Sequence, residues 1–173
     1  MITNILKLSK LENQQIFSDM EIKKYNLGEQ LCECLLNYES IIESKNLDVV
    51  SDIDDDDYIE ADYELLSLVW NNLFSNAVKF TGKGGKISIS LKFDNDSYII
   101  RVSDTGCGIT KKTGKHMFEK FYQGDTSHSS QGNGLGLALV KRVIDIIHGE
   151  ITVESELGKG SIFTVILRKA NVN

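Results

Sequence analysis

In the stretch Trp70 to Gly82, "WNNLFSNAVKFTG", three side chains have the types and spacing to handle a phosphorylated ligand. Asn72, Asn76 and Lys79 fall at i, i+4 and i+7, which stacks them as one polar stripe along a helix. That stripe lies roughly 100° round from the apolar stripe that carries Leu66, Leu73 and Ala77, in a pattern that also includes Val69 and Phe80. Asparagine competes with the backbone for hydrogen bonds and suits caps better than helix interiors, so Asn71, Asn72 and Asn76 point to a use other than helix stability. An asparagine carbonyl is a hard neutral oxygen suited to Mg²⁺, an ion that takes few protein ligands and fills its octahedron with phosphate oxygens and water. Lys79 supplies charge for the same phosphates. The competing reading is a solvated helix face with a chance pair of asparagines, and this segment alone leaves both open.

Three glycine-bearing segments follow. In "VSDTGCGI" a strand ends in Asp104 and the chain turns through Gly106 and Gly108, which allow close backbone approach to a flat ligand. An ionised carboxylate only accepts hydrogen bonds, so Asp104 suits the exocyclic amine of adenine and repels the carbonyl of guanine; a plain Asp-Gly turn would read the same way. In "GNGLGLALVKRVIDIIHG", Gly132, Gly134 and Gly136 lead into a helix whose apolar side includes Leu137, Val140, Ile144 and Ile147. Glycines at a helix start expose backbone N–H groups, which with the helix dipole make a phosphate site. The G-x-G-x-G spacing after a polar loop disfavours a Rossmann fingerprint, and no segment has P-loop spacing. In "GKGSIFTV", Gly158 and Gly160 flank a tight turn before Ser161, readable as a hairpin alone.

The elements that must position these residues are legible in the periodicity. After "EIKKYN", a short strand, come a helix over about 27–45, a strand at "LDVVSDI" and the acidic turn Asp54 to Asp57, which lacks the glycine and glutamate of a calcium loop. The asparagine helix spans about 62–80, and "KISISLKF" and "SYIIRVSD" form an antiparallel hairpin across "DND". Residues 106–133 lose periodicity apart from "MFEKFY", the mark of a functional lid or a disordered loop. A helix over about 134–148 and the strands "EITVESE" and "SIFTVIL" complete the chain. This order predicts a two-layer α/β sandwich (α+β), a mixed and mostly antiparallel sheet of about five strands on about three helices, and not a doubly wound sheet.

The 173 residues, 41% of them hydrophobic, suffice for one domain. A net charge of −6 with signs interspersed argues against nucleic acid as a partner. Three cysteines, Cys32, Cys34 and Cys107, have neither metal-ligand spacing nor a disulfide framework, which predicts a reducing compartment, the cytoplasm. No apolar run approaches the roughly 20 residues that span a bilayer, although a longer parent could be membrane-anchored.

Taken in order, "NLFSNAVKF", "DTGCGI", "FEKFY", "GNGLGLALVK" and "GKGSIF" resemble the catalytic and ATP-binding domain of bacterial sensor histidine kinases, in the superfamily shared with gyrase, MutL-type repair proteins and the heat-shock ATPase chaperones. The likeness runs from about residue 20 to 168. It implies a Bergerat-type ATP-binding fold with a lid over about 106–133, Mg²⁺ on Asn76, phosphates on Lys79 and support from Asn72. It further implies adenine on Asp104, with Phe80, Gly106, Gly108, Ile109 and Ser161 around the nucleotide. Gly132, Gly134, Leu135, Gly136 and Leu137 would form the phosphate-side glycine box, with Phe121 and Tyr122 packing the lid and Lys120 assisting transfer. Residues 1–14, with "ILKLSKLEN", resemble the end of a dimerisation helix, leaving 15–173 as the catalytic domain. The implied partners are ATP, the histidine phosphoacceptor of the same kinase and a response regulator receiver domain, in a parent that is a homodimer.

The chain also departs from that pattern. It has no proline, and none of His116, His128 and His148 resembles the acceptor histidine, so the expected chain is a phosphoryl donor without its own acceptor. Gln123 stands where many members place an arginine. Glutamate occupies the Asn72 position in the hydrolytic relatives, and an amide cannot serve as a general base. The alternatives are an ATPase switch of the gyrase or chaperone type, which Asn72 opposes, and a degenerate interaction module, which Gln123 keeps open.

Overall fold

The structure, a computed structural model, describes residues 20–53, 57–122 and 134–169. The expected dimerisation-helix end, Asp54 to Asp56, Gln123, His128 and Gly132 lie outside the described residues. Strand β1 (Ile22–Asn26) runs into helix α1 (Leu27–Leu36), which is followed by α2 (Glu39–Ser44), β2 (Asp48–Ile53) and β3 (Tyr58–Asp62). Helix α3 (Tyr63–Phe80) leads to the hairpin β4 (Lys86–Asp94) and β5 (Ser97–Asp104). Then come α4 (Lys111–His116), α5 (Gly136–Ile146), β6 (Glu150–Glu156) and β7 (Gly160–Arg168).

One sheet has five strands in the order β2-β4-β5-β7-β6, with only the β2/β4 pair parallel, which agrees with the expected mixed and mostly antiparallel sheet of about five strands. Alternation sends Ile87, Ile89 and Leu91 of β4, Ile100 and Val102 of β5, and Phe163 and Val165 of β7 to one face. Against them pack Leu27 and Leu31 of α1, Leu66, Val69 and Leu73 of α3, and Leu139, Val140 and Val143 of α5. The other face of the sheet carries Ser88, Ser90, Arg101, Ser103 and Thr152, so the sandwich has two layers.

Four expectations need correction. The helix expected over 27–45 breaks at Asn37 and Tyr38, where the Tyr38 hydroxyl donates to the Asn71 carbonyl (2.8 Å). Strand β3 stands where the sequence reads as turn and helix start; it pairs with β1, whose residues lie more than thirty positions upstream. Within the expected lid, α4 forms under a Thr110 cap. Phe80, grouped with the core by its spacing, is 37% exposed.

The ends of α3 are held by charged side chains. Asp62 caps its start, with Oδ1 accepting from the Leu65 N–H and Oδ2 from the Glu21 N–H, both at 2.9 Å. At the other end the Lys45 ammonium donates to the carbonyls of Val78 (2.7 Å), Lys79 (3.1 Å) and Thr81 (2.9 Å). A cation on those carbonyls is favoured by both hydrogen bonding and the helix dipole. Lys45→Met keeps the aliphatic stem and removes all three bonds, so a loss of about 1.5–3 kcal/mol in urea unfolding is expected; an unchanged midpoint and slope would show that the cap contributes nothing.

Candidate functional site

The asparagines of α3 do different things. Asn71 faces α1: its amide donates to the Ser67 carbonyl (2.8 Å) and accepts from Asn37 (3.2 Å), a structural role. Asn72 donates back to the Leu68 carbonyl (2.7 Å), which turns its own oxygen toward α5. A methyl group built on Gly136 would lie 2.7 Å from that oxygen, so a side chain at the first residue of α5 would have to displace the Asn72 amide. Asn76 is half-buried one turn on. The Lys79 ammonium lies 4.9 Å from the Phe80 ring centroid, within cation–π range.

Asp104 ends β5 on the inner face, 8% exposed. Its Oδ1 accepts from the Gly106 N–H at 2.8 Å. Burial raises its pKa above the usual carboxylate value, and the backbone N–H groups of Gly106 and Ser161 oppose that shift. The loop after it is pressed against α3: a methyl on Gly106 would sit 2.6 Å from the Phe80 carbonyl oxygen, to which the Cys107 N–H also points (3.4 Å).

The turn between β6 and β7 is part of this site and more than a hairpin. The Gly158 N–H donates to the Cys107 carbonyl (2.7 Å). Gly108, at φ +68°, has no room for a side chain against the Glu156 carbonyl. Ser161, 6% exposed, pairs directly with Asp104 across β5 and β7. Sequence reasoning misses Ser155, which no local motif marks. Its Oγ accepts from the Ile109 N–H (2.8 Å), donates to the Gly160 carbonyl (2.8 Å) and meets the Ser161 Oγ at 2.9 Å.

At the far end the Phe121 N–H donates to the Gly134 carbonyl (2.9 Å), and a methyl on Gly134 would lie 2.6 Å from the Tyr122 carbonyl oxygen. Phe121 itself is 66% exposed and holds φ +62°. The half-buried Tyr122 ring lies 5.6 Å from that of His116, and Lys120 is exposed on the same turn. Ile109 and Leu137 pack partly against the core, whereas the Leu135 side chain is fully inside it, which leaves only its backbone to face a ligand. Leu135 is also the N-cap of α5, with no side-chain cap bond and no acidic residue in the first turn. That start therefore offers N–H groups and a positive dipole end.

The polar stripe of α3 thus runs from the start of α5, at Asn72, to the Asp104 loop, at Phe80, a span of about 12 Å at 1.5 Å per residue. Acceptors lie at one end and donors at the other. Such a fold and site define a class of domain whose geometry suits a ligand with an amine-bearing ring and an anionic chain.

The comparisons with known proteins give that class its name. The pattern of the family described as "Histidine kinase-, DNA gyrase B-, and HSP90-like ATPase" matches residues 61–171. The chain is 37% identical over 172 residues to the sensor histidine kinase RppB of Synechocystis sp., covering 96% of this chain and 37% of RppB. Its fold superposes on the catalytic domain of histidine kinase ThkA with a TM-score of 0.78 at 28% identity, over 87% of this chain and 97% of that one. ThkA has also been solved in complex with response regulator protein TrrA (TM-score 0.72, 26% identity, 98% of this chain and 49% of that one). Full-length ShkA in complex with AMPPNP gives 0.85 at 25% identity, over 98% of this chain and 35% of that one. The chain belongs to the histidine kinase-, DNA gyrase B-, and HSP90-like ATPase family, and these similar proteins are histidine kinases. It spans little more than a third of the length of RppB.

Proposed function

We propose that this chain binds ATP and donates its γ-phosphate to a histidine on a dimerisation domain of the same kinase. The observation that carries this reading is the buried, acceptor-only Asp104 at one end of α3 and the uncapped start of α5 at the other. Asp104 accepts the exocyclic amine of the base, with Gly106, Gly108, Ile109 and Ser161 shaping the wall beside it. The first N–H groups of α5, from Gly136 and Leu137, and the Lys79 ammonium hold the phosphates. Lys120, Phe121 and Tyr122 serve the lid side with Gly134.

Asn76 is the residue to hold Mg²⁺. Among the described residues no group of three His, Cys, Asp or Glu could hold a metal ion. A single neutral amide oxygen suits an ion that draws its other ligands from phosphate and water. Bound there, Mg²⁺ neutralises phosphate charge. Asn72, back-bonded to Leu68 and packed on Gly136, fixes α3 against α5 and has no basic atom with which to activate water. Positioning and charge neutralisation dominate phosphoryl transfer, so such a donor delivers the phosphate to an imidazole held in line by another domain. A receiver domain as the next acceptor is supported by the ThkA relative's complex with its response regulator. The parent kinase is then a homodimer with this domain in the cytoplasm. Among the described residues no helix is long and apolar enough to cross a membrane.

The test is transfer of radiolabelled γ-phosphate from ATP to the separately supplied dimerisation domain of the parent. Wild-type chain is expected to label it, and Asn76→Ala to lower the rate by at least about a hundredfold, because it removes the amide oxygen offered to Mg²⁺. Hydrolysis without transfer would indicate an ATPase switch, and absence of nucleotide binding an interaction module.

A further inference from the structure

Ser155 sits on β6, one strand away from Asp104's own partner, and has three polar neighbours. A serine hydroxyl offers one proton and two lone pairs. The proton goes to the Gly160 carbonyl at 2.8 Å, and one lone pair receives the Ile109 N–H at 2.8 Å. The contact of 2.9 Å with the Ser161 Oγ must then use the remaining lone pair, which makes Ser161 the donor. Ser161 and Asp104 are directly opposite each other on the inner face of the sheet. With its own proton committed to Ser155, the Ser161 hydroxyl presents only lone pairs on the Asp104 side.

We infer that Ser155 is a specificity-determining positioning residue: by fixing the direction of the Ser161 hydroxyl, it makes the base-binding end of the site an acceptor-only surface that admits adenine and excludes guanine. The inference rests on the nucleotide-binding reading above. Adenine presents an exocyclic amine, two N–H donors, at the position where guanine presents a carbonyl that needs a donor. A Ser161 hydroxyl free to rotate could supply that donor. Ser155→Ala frees it. Ser155→Thr retains the hydroxyl and its three partners.

The experiment is calorimetric titration of this chain with non-hydrolysable ATP and GTP analogues in the presence of Mg²⁺, with thermal melting of each variant to establish that it is folded. Wild type is expected to prefer the adenine nucleotide, Ser155→Ala to narrow that preference about tenfold, the weight of one hydrogen bond, and Ser155→Thr to restore it. In a Ser161→Ala background, Ser155→Ala is expected to leave the ratio unchanged, since there is no hydroxyl left to orient. Equal weakening of both nucleotides by Ser155→Ala, or no effect in a wild type that prefers ATP, overturns the inference and leaves the nucleotide reading standing. A wild type that binds neither nucleotide overturns both.

Discussion

Asp104→Asn is expected to weaken binding of an ATP analogue by about 1–3 kcal/mol, roughly five- to 150-fold, while leaving the fold at least as stable as wild type. The amide oxygen can still accept from the Gly106 N–H, the bond that holds the loop at 2.8 Å. The other position, however, becomes an NH₂ group facing the amine of the base, so an attraction turns into a donor-donor conflict. The stability half of the prediction follows from linkage. Burial raises the folded-state pKa of this carboxylate above its unfolded value, so its ionised form opposes folding at neutral pH. That opposition fades as pH falls through the raised pKa, and the neutral amide lacks it at every pH. Protonated Asp104 resembles the asparagine variant. Wild-type affinity should therefore fall on acidification through the raised pKa toward that of Asp104→Asn, whose own profile lacks this step. The variant's unchanged affinity at neutral pH would remove Asp104 from the site.

Gly160→Ala should destabilise the domain by about 2–5 kcal/mol and abolish nucleotide binding even where it folds. Gly160 opens β7 at φ +112°, where a Cβ is strained by itself, and that Cβ would collide with the carbonyl oxygen of Asp104. Relief must come from moving β5 or β7, adjacent strands at the heart of the sheet. The figure combines about 1–2 kcal/mol of backbone strain with about 1–3 of overpacking. The displaced atoms belong to the residue that reads the base, so stability and binding fall together. Gly158→Ala is the contrast: its φ is +80°, yet nothing lies within 4 Å of its Cβ position, so strain is its sole cost. Equal urea midpoints for the two variants would show that the contact with Asp104 is dispensable.

Much of the frame is written locally and was legible. The α3 boundaries, the β4/β5 hairpin and the alternation of β4 follow from periods of 3.6 and 2 in contiguous residues. What the sequence hides is non-local. β3 is a five-residue strand beside an acidic run, and its partner β1 lies on the far side of two helices. The three asparagines look alike in sequence, and only the neighbouring helices separate Asn71, bonded toward α1, from Asn72, packed on α5. Phe80 keeps the helical period but is the last residue of α3 and exposed, although Ala77 and Val78 of the same turn are buried. Ser155 meets Ile109 across 46 positions of sequence, and Lys45 meets the end of α3 across more than thirty. The glycine motifs are readable as close approaches, but what each approaches is a matter of tertiary structure.

The bond from the Phe121 N–H to the Gly134 carbonyl ties two residues thirteen positions apart into the base of a loop. Such a tie separates the length of the intervening sequence from the stability of the domain. With both ends already fastened, doubling the number of residues between them adds only about 0.6 kcal/mol of closure entropy. The catalytic scaffold can therefore tolerate large variation in this one segment while α5 and the Asp104 wall stay where they are. The number of residues between the two tied ends is thus a variable that costs the fold little.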